Sequence, residues 1–328
     1  MRALVLGGTG HIGAHVVRAL LARGWAVRAT YRNPRFRFVL DGTGAEAQQL
    51  DVTESTRLEA AVDGCDAVID CAGFYPSWTA RREAAIACGV RHVRAVFDVL
   101  AAHRLQSIVY TSSAATIRAT GHQPATESDR EPWPLPAWRP LYATVKLAME
   151  REVERYVGQG LPIAMTHPSV CLGEFDAHPF SGRLILLYAK QRLPVWFDDG
   201  FNLVYTGDVA QAVAAAAESP RPGQHYLLSQ DNTTLERFGK LVAQLAGVPP
   251  PRWRIPNPII RLAGASFDAI AALSGTEPAF SGKAFDLGRA PHWLDSTKAQ
   301  RDLGMPQTST EEAIRRALAW FRKHGYCR

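Results

Sequence analysis

The chain has 328 residues, 47% of them hydrophobic and 21% charged, with a formal charge of +6 from 37 basic and 31 acidic side chains. That length and balance suit a globular protein with a sizeable core, and they exclude fibrous and disordered classes. The basic surplus is scattered as 31 Arg and 6 Lys without a run of five like charges, which argues against a nucleic-acid tail and fits either an anionic ligand or an Arg-rich composition.

In chain order, short apolar runs at Ala3–Leu6, Ala26–Thr30, Ala67–Asp70, Ser107–Thr111 and Pro162–Thr166 read as strands. The stretches His11–Arg23, Ser55–Val62, Ala80–His103 and Tyr142–Val157 read as helices between them. Strand and helix in alternation require crossovers, hence an α/β fold with a doubly wound parallel sheet, helices on both faces, and ligands at the strand C-terminal edge. After about residue 167 the rhythm breaks, and Pro, Gly and aromatic residues become more frequent. A helix at Gly207–Glu218 and a strand at Gln224–Ser229 read as a return to the sheet. Thr233–Gly247 and Ser309–His324 read as amphipathic helices, the second opening on Ser309 and Glu312 in capping-box spacing. The expected organisation is a nucleotide-binding domain of residues 1–166 plus about 204–229, with a smaller interleaved substrate domain of 167–203 plus about 230–328.

Cys65, Cys71, Cys88, Cys171 and Cys327 form no Cys-x-x-Cys pair and no metal spacing, which predicts free thiols in a reducing compartment and no metal. The first residues run straight into a strand without a basic leader, and the apolar helix candidates are interrupted, for example by Arg261 and Asp268. The expectation is a cytoplasmic protein without a membrane span.

The most informative stretch is the first turn. A strand ending at Leu6 is followed at once by Gly7, Gly10 and Gly13 and then by a helix. Gly7 permits the tight turn, Gly10 allows backbone N–H groups to approach a pyrophosphate, and Gly13 lets helix and strand pack closely. Gly7, Thr9, Gly10, His11, Ile12 and Gly13 are therefore expected to cradle a dinucleotide. The second strand ends Val27-Arg28-Ala29-Thr30-Tyr31-Arg32-Asn33-Pro34 without the acidic residue that would hold an adenosine 2′-hydroxyl. Arg32 offers a bidentate partner for a 2′-phosphate, with Arg35 and Arg37 close behind; its bland reading is a solvated surface residue.

Tyr142 and Lys146 stand four apart on a helix, so both occupy one face, and no other Tyr-x-x-x-Lys occurs. An unperturbed phenol has a pKa of about 10, too high for ready proton exchange at neutral pH. A neighbouring ammonium and a positive nicotinamide would lower it and make Tyr142 a proton donor to a ketone or a base for an alcohol.

The Gly-x-x-Gly-x-x-Gly spacing, with the Tyr-x-x-x-Lys pair, resembles the extended short-chain dehydrogenase/reductase family within the NAD-dependent epimerase/dehydratase superfamily. Nearly the whole chain takes part, through Tyr205-Thr206-Gly207-Asp208-Val209-Ala210 to the closing segment from Leu294 to Gly304. The stretch around Arg32 is similar to the Val-Arg-Ala-Thr-x-Arg-x-Pro of dihydroflavonol-reductase-like members, whose matching Arg binds NADP. The resemblance implies that Asp51 and Val52 contact the adenine, although Asp51 reads equally well as a helix N-cap before Ser55. It implies that Cys71, Ala72 and Gly73 lie beside the cofactor ribose, with Cys71 as a small filler, and that Lys146 reaches the ribose hydroxyls. It makes Ser113 the partner of the substrate carbonyl oxygen, with Ser112 the alternative should the register slip. Pro168 and Ser169 would lie by the nicotinamide; His167 stands where the family usually has Arg, and its default reading is a satisfied strand-end histidine.

Phe74 and Tyr75, directly after the ribose segment, are the best candidates for a substrate wall. Pro76, Trp78, Phe175, Phe180, Trp196 and Tyr205 could join them, which would make the substrate bulky and apolar. The resemblance leaves three readings: an NADPH-dependent reductase of a ketone or aldehyde, a nucleotide-sugar epimerase or dehydratase, and a sensor that binds NADP without catalysis. Ala114 and Ala115 stand where dehydratases carry an acidic pair, and the complete Ser113/Tyr142/Lys146 set weighs against a sensor. The reductase is the preferred expectation. A small carbonyl or alcohol substrate is the expected partner, and a homodimer through the helices flanking the sheet is an arrangement the resemblance allows.

Overall fold

Alternation of buried side chains along short strands builds two cores at once. In β1 (Arg2–Leu6), Ala3 and Val5 enter one hydrophobic cluster while Leu4 and Leu6 enter another on the opposite face. The computed structural model describes residues 1–77, 81–121, 123–136, 139–274 and 291–327. After β1 come α1 (His11–Ala22), β2 (Ala26–Tyr31), β3 (Glu46–Gln49), α2 (Ser55–Val62), β4 (Ala67–Asp70), α3 (Arg82–Ala101), β5 (Ser107–Thr111), α4 (Leu141–Gly158) and β6 (Ile163–Pro168). The second half holds β7 (Val170–Leu172), α5 (Gly182–Ala189), β8 (Val195–Trp196), β9 (Gly200–Tyr205), α6 (Thr206–Glu218), β10 (His225–Leu228) and β11 (Asp231–Thr234). It closes with α7 (Leu235–Ala246), β12 (Trp253–Arg254), α8 (Asn257–Ser274), α9 (Thr297–Leu303) and α10 (Thr310–Lys323).

Seven strands form one parallel sheet in the order β10-β6-β5-β4-β1-β2-β3. Helices α1 and α6 cover one face with Val16, Leu20, Val209 and Val213; α2, α3 and α4 cover the other with Leu58, Val96, Phe97 and Met149. The chain leaves β1 toward β2 and β3, then returns to place β4 on the other side of β1. That reversal opens a crevice at the C-terminal ends of β1 and β4, where dinucleotides bind in such sheets. The Rossmann-type α/β architecture expected from the sequence is the one found.

Beyond β6, β7 pairs parallel with β9 and β9 antiparallel with β11 in a separate three-stranded sheet, while β8 and β12 form a two-stranded one. A third cluster, including Phe197, Phe238, Ile314 and Phe321, joins this sheet to α5, α7 and α10. The helix expected from Thr233 starts two residues later, because Thr233 and Thr234 pair with β9 and the Thr234 hydroxyl then caps α7. At α10 the Ser309 hydroxyl accepts from Glu312 N at 3.2 Å, while the Glu312 carboxylate turns outward to Arg315 and Arg316. The five cysteines are all free thiols. Among the described residues, no helix is long and apolar enough to cross a membrane.

Candidate active site

The turn after β1 brings backbone against backbone. Gly7 adopts φ +75°, and a Cβ on Gly13 would lie 2.2 Å from the Gly7 carbonyl oxygen, so a side chain at 13 would force α1 off the turn. Gly10 caps α1 without a side-chain hydrogen bond, and the first turn carries no acidic residue. The leading N–H groups, near Thr9, His11 and Ile12, are thus left to a ligand of negative charge. This cradle fits a dinucleotide pyrophosphate. The buried Ser169 hydroxyl, just beyond β6 and the buried Pro168, has no hydrogen-bond partner among the described residues, which also suits a polar ligand at that end of the crevice.

Arg32 is exposed immediately after β2, and its positive charge helps hold the Asp51 carboxyl below its ordinary value. The main cause of that lowering is the Thr53 N–H, which donates to Asp51 Oδ1 at 3.1 Å; the Thr53 hydroxyl donates to the same oxygen at 2.8 Å. Asp51 is not a helix cap, because α2 begins after Glu54 and Asp51 closes its own turn instead. Val52 is buried under it. Cys71 is half-buried, with its sulfur 3.6 Å from Thr111 Oγ1, and burial pushes the thiol up to about 12, which suits a filler rather than a nucleophile. Ala72 donates its N–H to Asp70 and its carbonyl oxygen lies 2.8 Å from His92 Nε2. A Cβ on Gly73 would come within 2.8 Å of Lys146 Nζ, so glycine there gives the ammonium room.

The start of α4 is anchored by Arg82, which donates to the Arg139 carbonyl at 3.1 Å and to Thr144 Oγ1 at 2.7 Å. From this base Tyr142, Lys146, Glu150 and Glu154 follow one another at helical spacing of four. Lys146 Nζ lies 6.0 Å from the Tyr142 ring centroid and 5.4 Å from that of Tyr75. Burial lowers Lys146 to about 8, opposed by the Asp70 and Glu150 carboxylates, so the side chain is still largely an ammonium at neutral pH. Ser113 leaves the end of β5 in an extended conformation and caps a short turn, its hydroxyl accepting from Ala115 N at 3.2 Å.

In the chain alone the Tyr142 phenol is raised, not lowered. Burial pushes it well above its ordinary value, Tyr75 adds to the effect, and the Ser113 hydroxyl opposes it as a hydrogen-bond partner. The chain by itself thus keeps Tyr142 in its protonated form. Desolvation outweighs the lowering by the Ser113 hydroxyl.

Of the aromatic candidates, Tyr75 and Phe180 gather at Tyr142: the Tyr75 ring stacks on that of Tyr142 at 5.5 Å, and Phe180 lies 5.8 Å from Tyr75. Both are open to solvent, 56% and 61% exposed. Phe74 turns inward toward His92. Phe175 and Tyr205 pack against His15 on α1, and Tyr205 donates to Glu174 at 2.7 Å. Trp196 lines a different cavity of about 260 Å³ with Phe197, Gly200, Asn257 and Trp293. Pro76 lies beside Tyr75 in the chain, and Trp78 falls outside the described residues.

The sequence reading missed Asp70, Arg130, Glu150 and His225. Glu150 is fully buried, accepts from Ser112 Oγ at 2.8 Å and from Arg130 Nε at 3.0 Å, and pairs with Arg130. Its place one helical turn beyond Lys146 was the available signal. Ser112 is thereby turned toward Glu150, leaving Ser113 as the hydroxyl near Tyr142.

The glycine cradle at a sheet switch point, with Tyr142 and Lys146 on the helix beside it, defines a nucleotide-dependent enzyme of the Rossmann class. The model of the NAD dependent epimerase/dehydratase family matches residues 3–229, and the chain belongs to that family of NAD(P)-dependent enzymes. A Synechocystis protein provisionally named dihydroflavonol 4-reductase is 28% identical over 98% of this chain and 95% of its own length. Sterol demethylase protein B of Methylococcus capsulatus is 29% identical over 99% of both chains. The crystal structure of gox2253 superposes with a TM-score of 0.84 at 28% identity, covering 99% of each chain.

Proposed function

We propose that the protein is an NADPH-dependent reductase of a bulky, apolar ketone or aldehyde. The observation that carries this reading is the Tyr142 phenol held protonated within reach of the Ser113 hydroxyl, one turn from the Lys146 ammonium. NADPH, when bound, supplies the hydride.

The chain's own residues do the rest. Ser113 and Tyr142 hold the carbonyl oxygen between two hydroxyl donors, which stabilises the negative charge that grows there. Tyr142 gives its proton to that oxygen as the carbonyl carbon is reduced, so the product leaves as an alcohol. Lys146 stabilises the phenolate left behind and, with Gly73 leaving it space, reaches the ribose hydroxyls. Gly7, Gly10 and Gly13 seat the pyrophosphate, and Arg32 pairs with the 2′-phosphate at the exposed end of β2. Asp51 and Val52 face the adenine; Cys71 and Ala72 flank the ribose, and Pro168 and Ser169 the nicotinamide.

Tyr75 and Phe180, with their exposed faces beside Tyr142, favour a flat apolar substrate over a sugar rich in hydroxyls. The names of two relatives point the same way, one to a dihydroflavonol and one to a sterol. The test is NADPH consumption across a panel of polycyclic ketones, aldehydes and nucleotide sugars. Turnover of apolar carbonyls is expected; sugar turnover without net NADPH consumption would overturn the reading.

A further inference from the structure

Beside Ser113, a row of polar groups that is fully buried only at Thr116 and His167 runs from β10 to the end of β5. Arg130 Nη1 lies 3.3 Å from His225 Nε2. His225 Nδ1 lies 2.9 Å from His167 Nε2, and His167 Nδ1 lies 3.2 Å from Thr116 Oγ1. Thr116 Oγ1 donates in turn to the Ser113 carbonyl oxygen at 2.8 Å. Thr116 and His167 are fully buried.

We infer that Arg130, His225, His167 and Thr116 form a one-directional chain of hydrogen bonds, with both imidazoles neutral and protonated on Nδ1, and that this chain fixes the backbone of Ser113. Its role in turnover rests on the assignment of Ser113 to the substrate carbonyl.

The two ends set the direction. A guanidinium can only donate and a carbonyl oxygen can only accept. Thr116 has a single hydroxyl proton, given to Ser113, so its oxygen accepts from His167 and places a proton on His167 Nδ1. His167 Nε2 then carries a lone pair, which obliges His225 to donate from Nδ1. The remaining lone pair of His225, on Nε2, faces the Arg130 donor, whose guanidinium also pairs with Glu154, the carboxylate 3.7 Å from that nitrogen. Glu150 Oε2, 3.5 Å from His167 Nδ1, favours a proton on that nitrogen.

The opposite direction fails at three places. Thr116 would have to turn its proton away from Ser113, the His167 Nδ1 lone pair would meet the Glu150 carboxylate, and an N–H on His225 Nε2 would oppose Arg130. A metal ion is also disfavoured. Glu150, His167 and His225 offer ligand atoms within 4.8 Å of one another, but Arg130 already supplies the cation to Glu150 and faces His225. His167 and His225 are therefore positioning residues, acting on Ser113 through Thr116 and through the hydrogen bond of His167 itself to the Ser113 backbone.

The test uses the full chain labelled with ¹⁵N at its ten histidines. Long-range ¹⁵N–¹H correlation spectra read the tautomer of each ring, and the signals lost in His167→Gln and His225→Gln assign the two. At neutral pH both are expected to be protonated on Nδ1 alone. A proton on Nε2 of either ring, or an imidazolium, would overturn the chain.

A kinetic arm separates positioning from packing. Thr116→Val keeps the shape and is expected to lower kcat about tenfold with KM for NADPH unchanged, whereas Thr116→Ser keeps the hydroxyl and stays within about twofold of the parent. An active Thr116→Val beside an impaired Thr116→Ser would reduce Thr116 to a packed methyl group and remove the positioning role. If the parent protein turned over no carbonyl, the assignment of Ser113 would fall, while the tautomer spectra would still decide the direction of the chain.

Discussion

The ring of Tyr75 stacks on the ring of Tyr142 at a centroid distance of 5.5 Å and an interplanar angle of 15°. Tyr75 therefore forms one wall above the proposed proton donor, and a flat substrate would lie against it. Tyr75→Ala should raise KM several-fold for polycyclic ketones while leaving kcat for a small aldehyde close to the parent value, because stacking contributes about 1 kcal/mol. Steady-state kinetics on one substrate of each size check this. Equal effects on both would place Tyr75 in general support of the site and not in substrate choice.

Arg32 stands exposed at the end of β2, with no acidic residue in its place to bind a ribose hydroxyl. A charge-assisted contact to a phosphate is worth about 1.5–3 kcal/mol. Arg32→Ala should thus weaken NADPH by roughly ten- to hundredfold and NADH by little, as read from the dissociation constants of both cofactors.

Glu150 joins Ser112, Arg130 and the electrostatics of Lys146. Removing its charge in Glu150→Gln leaves Arg130 and Lys146 less compensated. The expected cost in stability is about 3 kcal/mol, measured by denaturant unfolding. The Glu150 carboxylate raises Lys146, so its loss should move the alkaline limb of kcat/KM, set by a group near 8, to lower pH. An unmoved limb would detach Lys146 from Glu150.

Burial holds His11, His15, His167 and His225 down at about 3, against an ordinary value of 6.5. His11 adds to the lowering of His15 and His167 to that of His225, with Arg130 and Lys298 lowering both His167 and His225 and Arg18 lowering His15; the Ser113 backbone and Glu154 oppose at His167, Glu150 at His225, and Glu174 at His11 and His15. The unfolded chain takes up these protons below about 6.5 and the folded chain does not until about 3. The stabilising contribution is complete above 6.5 and is lost as pH falls through this window, on the order of 1 kcal/mol per pH unit for each group. Urea unfolding at about pH 7 and pH 5 measures it; equal stability at both would contradict the neutral, buried histidines.

What was legible in the sequence was what local geometry decides. Gly7, Gly10 and Gly13 announced the turn because each answers a backbone constraint within a few residues, and Tyr142 with Lys146 announced a shared helical face. Strand alternation such as Ala3/Leu4/Val5/Leu6 needed only the period of two. The partners of His167 were not legible, since Thr116 and His225 lie 51 and 58 residues away in the chain and meet only through the sheet. Aromatic clustering alone could not sort the candidates, for a related reason. Phe175 and Tyr205 looked like Tyr75 and Phe180 in composition, yet their place beside His15 depends on how β7 and β9 approach α1. The upward push on the Tyr142 phenol was hidden as well, because desolvation follows from packing and not from spacing.

In the proposed reaction Tyr142 gives the proton that completes carbonyl reduction. Tyr142→Phe keeps the ring and removes only the hydroxyl, and single-turnover oxidation of NADPH with a ketone that the parent reduces measures the loss. A fall of about 10³-fold in that rate is expected, with the dissociation constant for NADPH unchanged. A rate within a few-fold of the parent would contradict it.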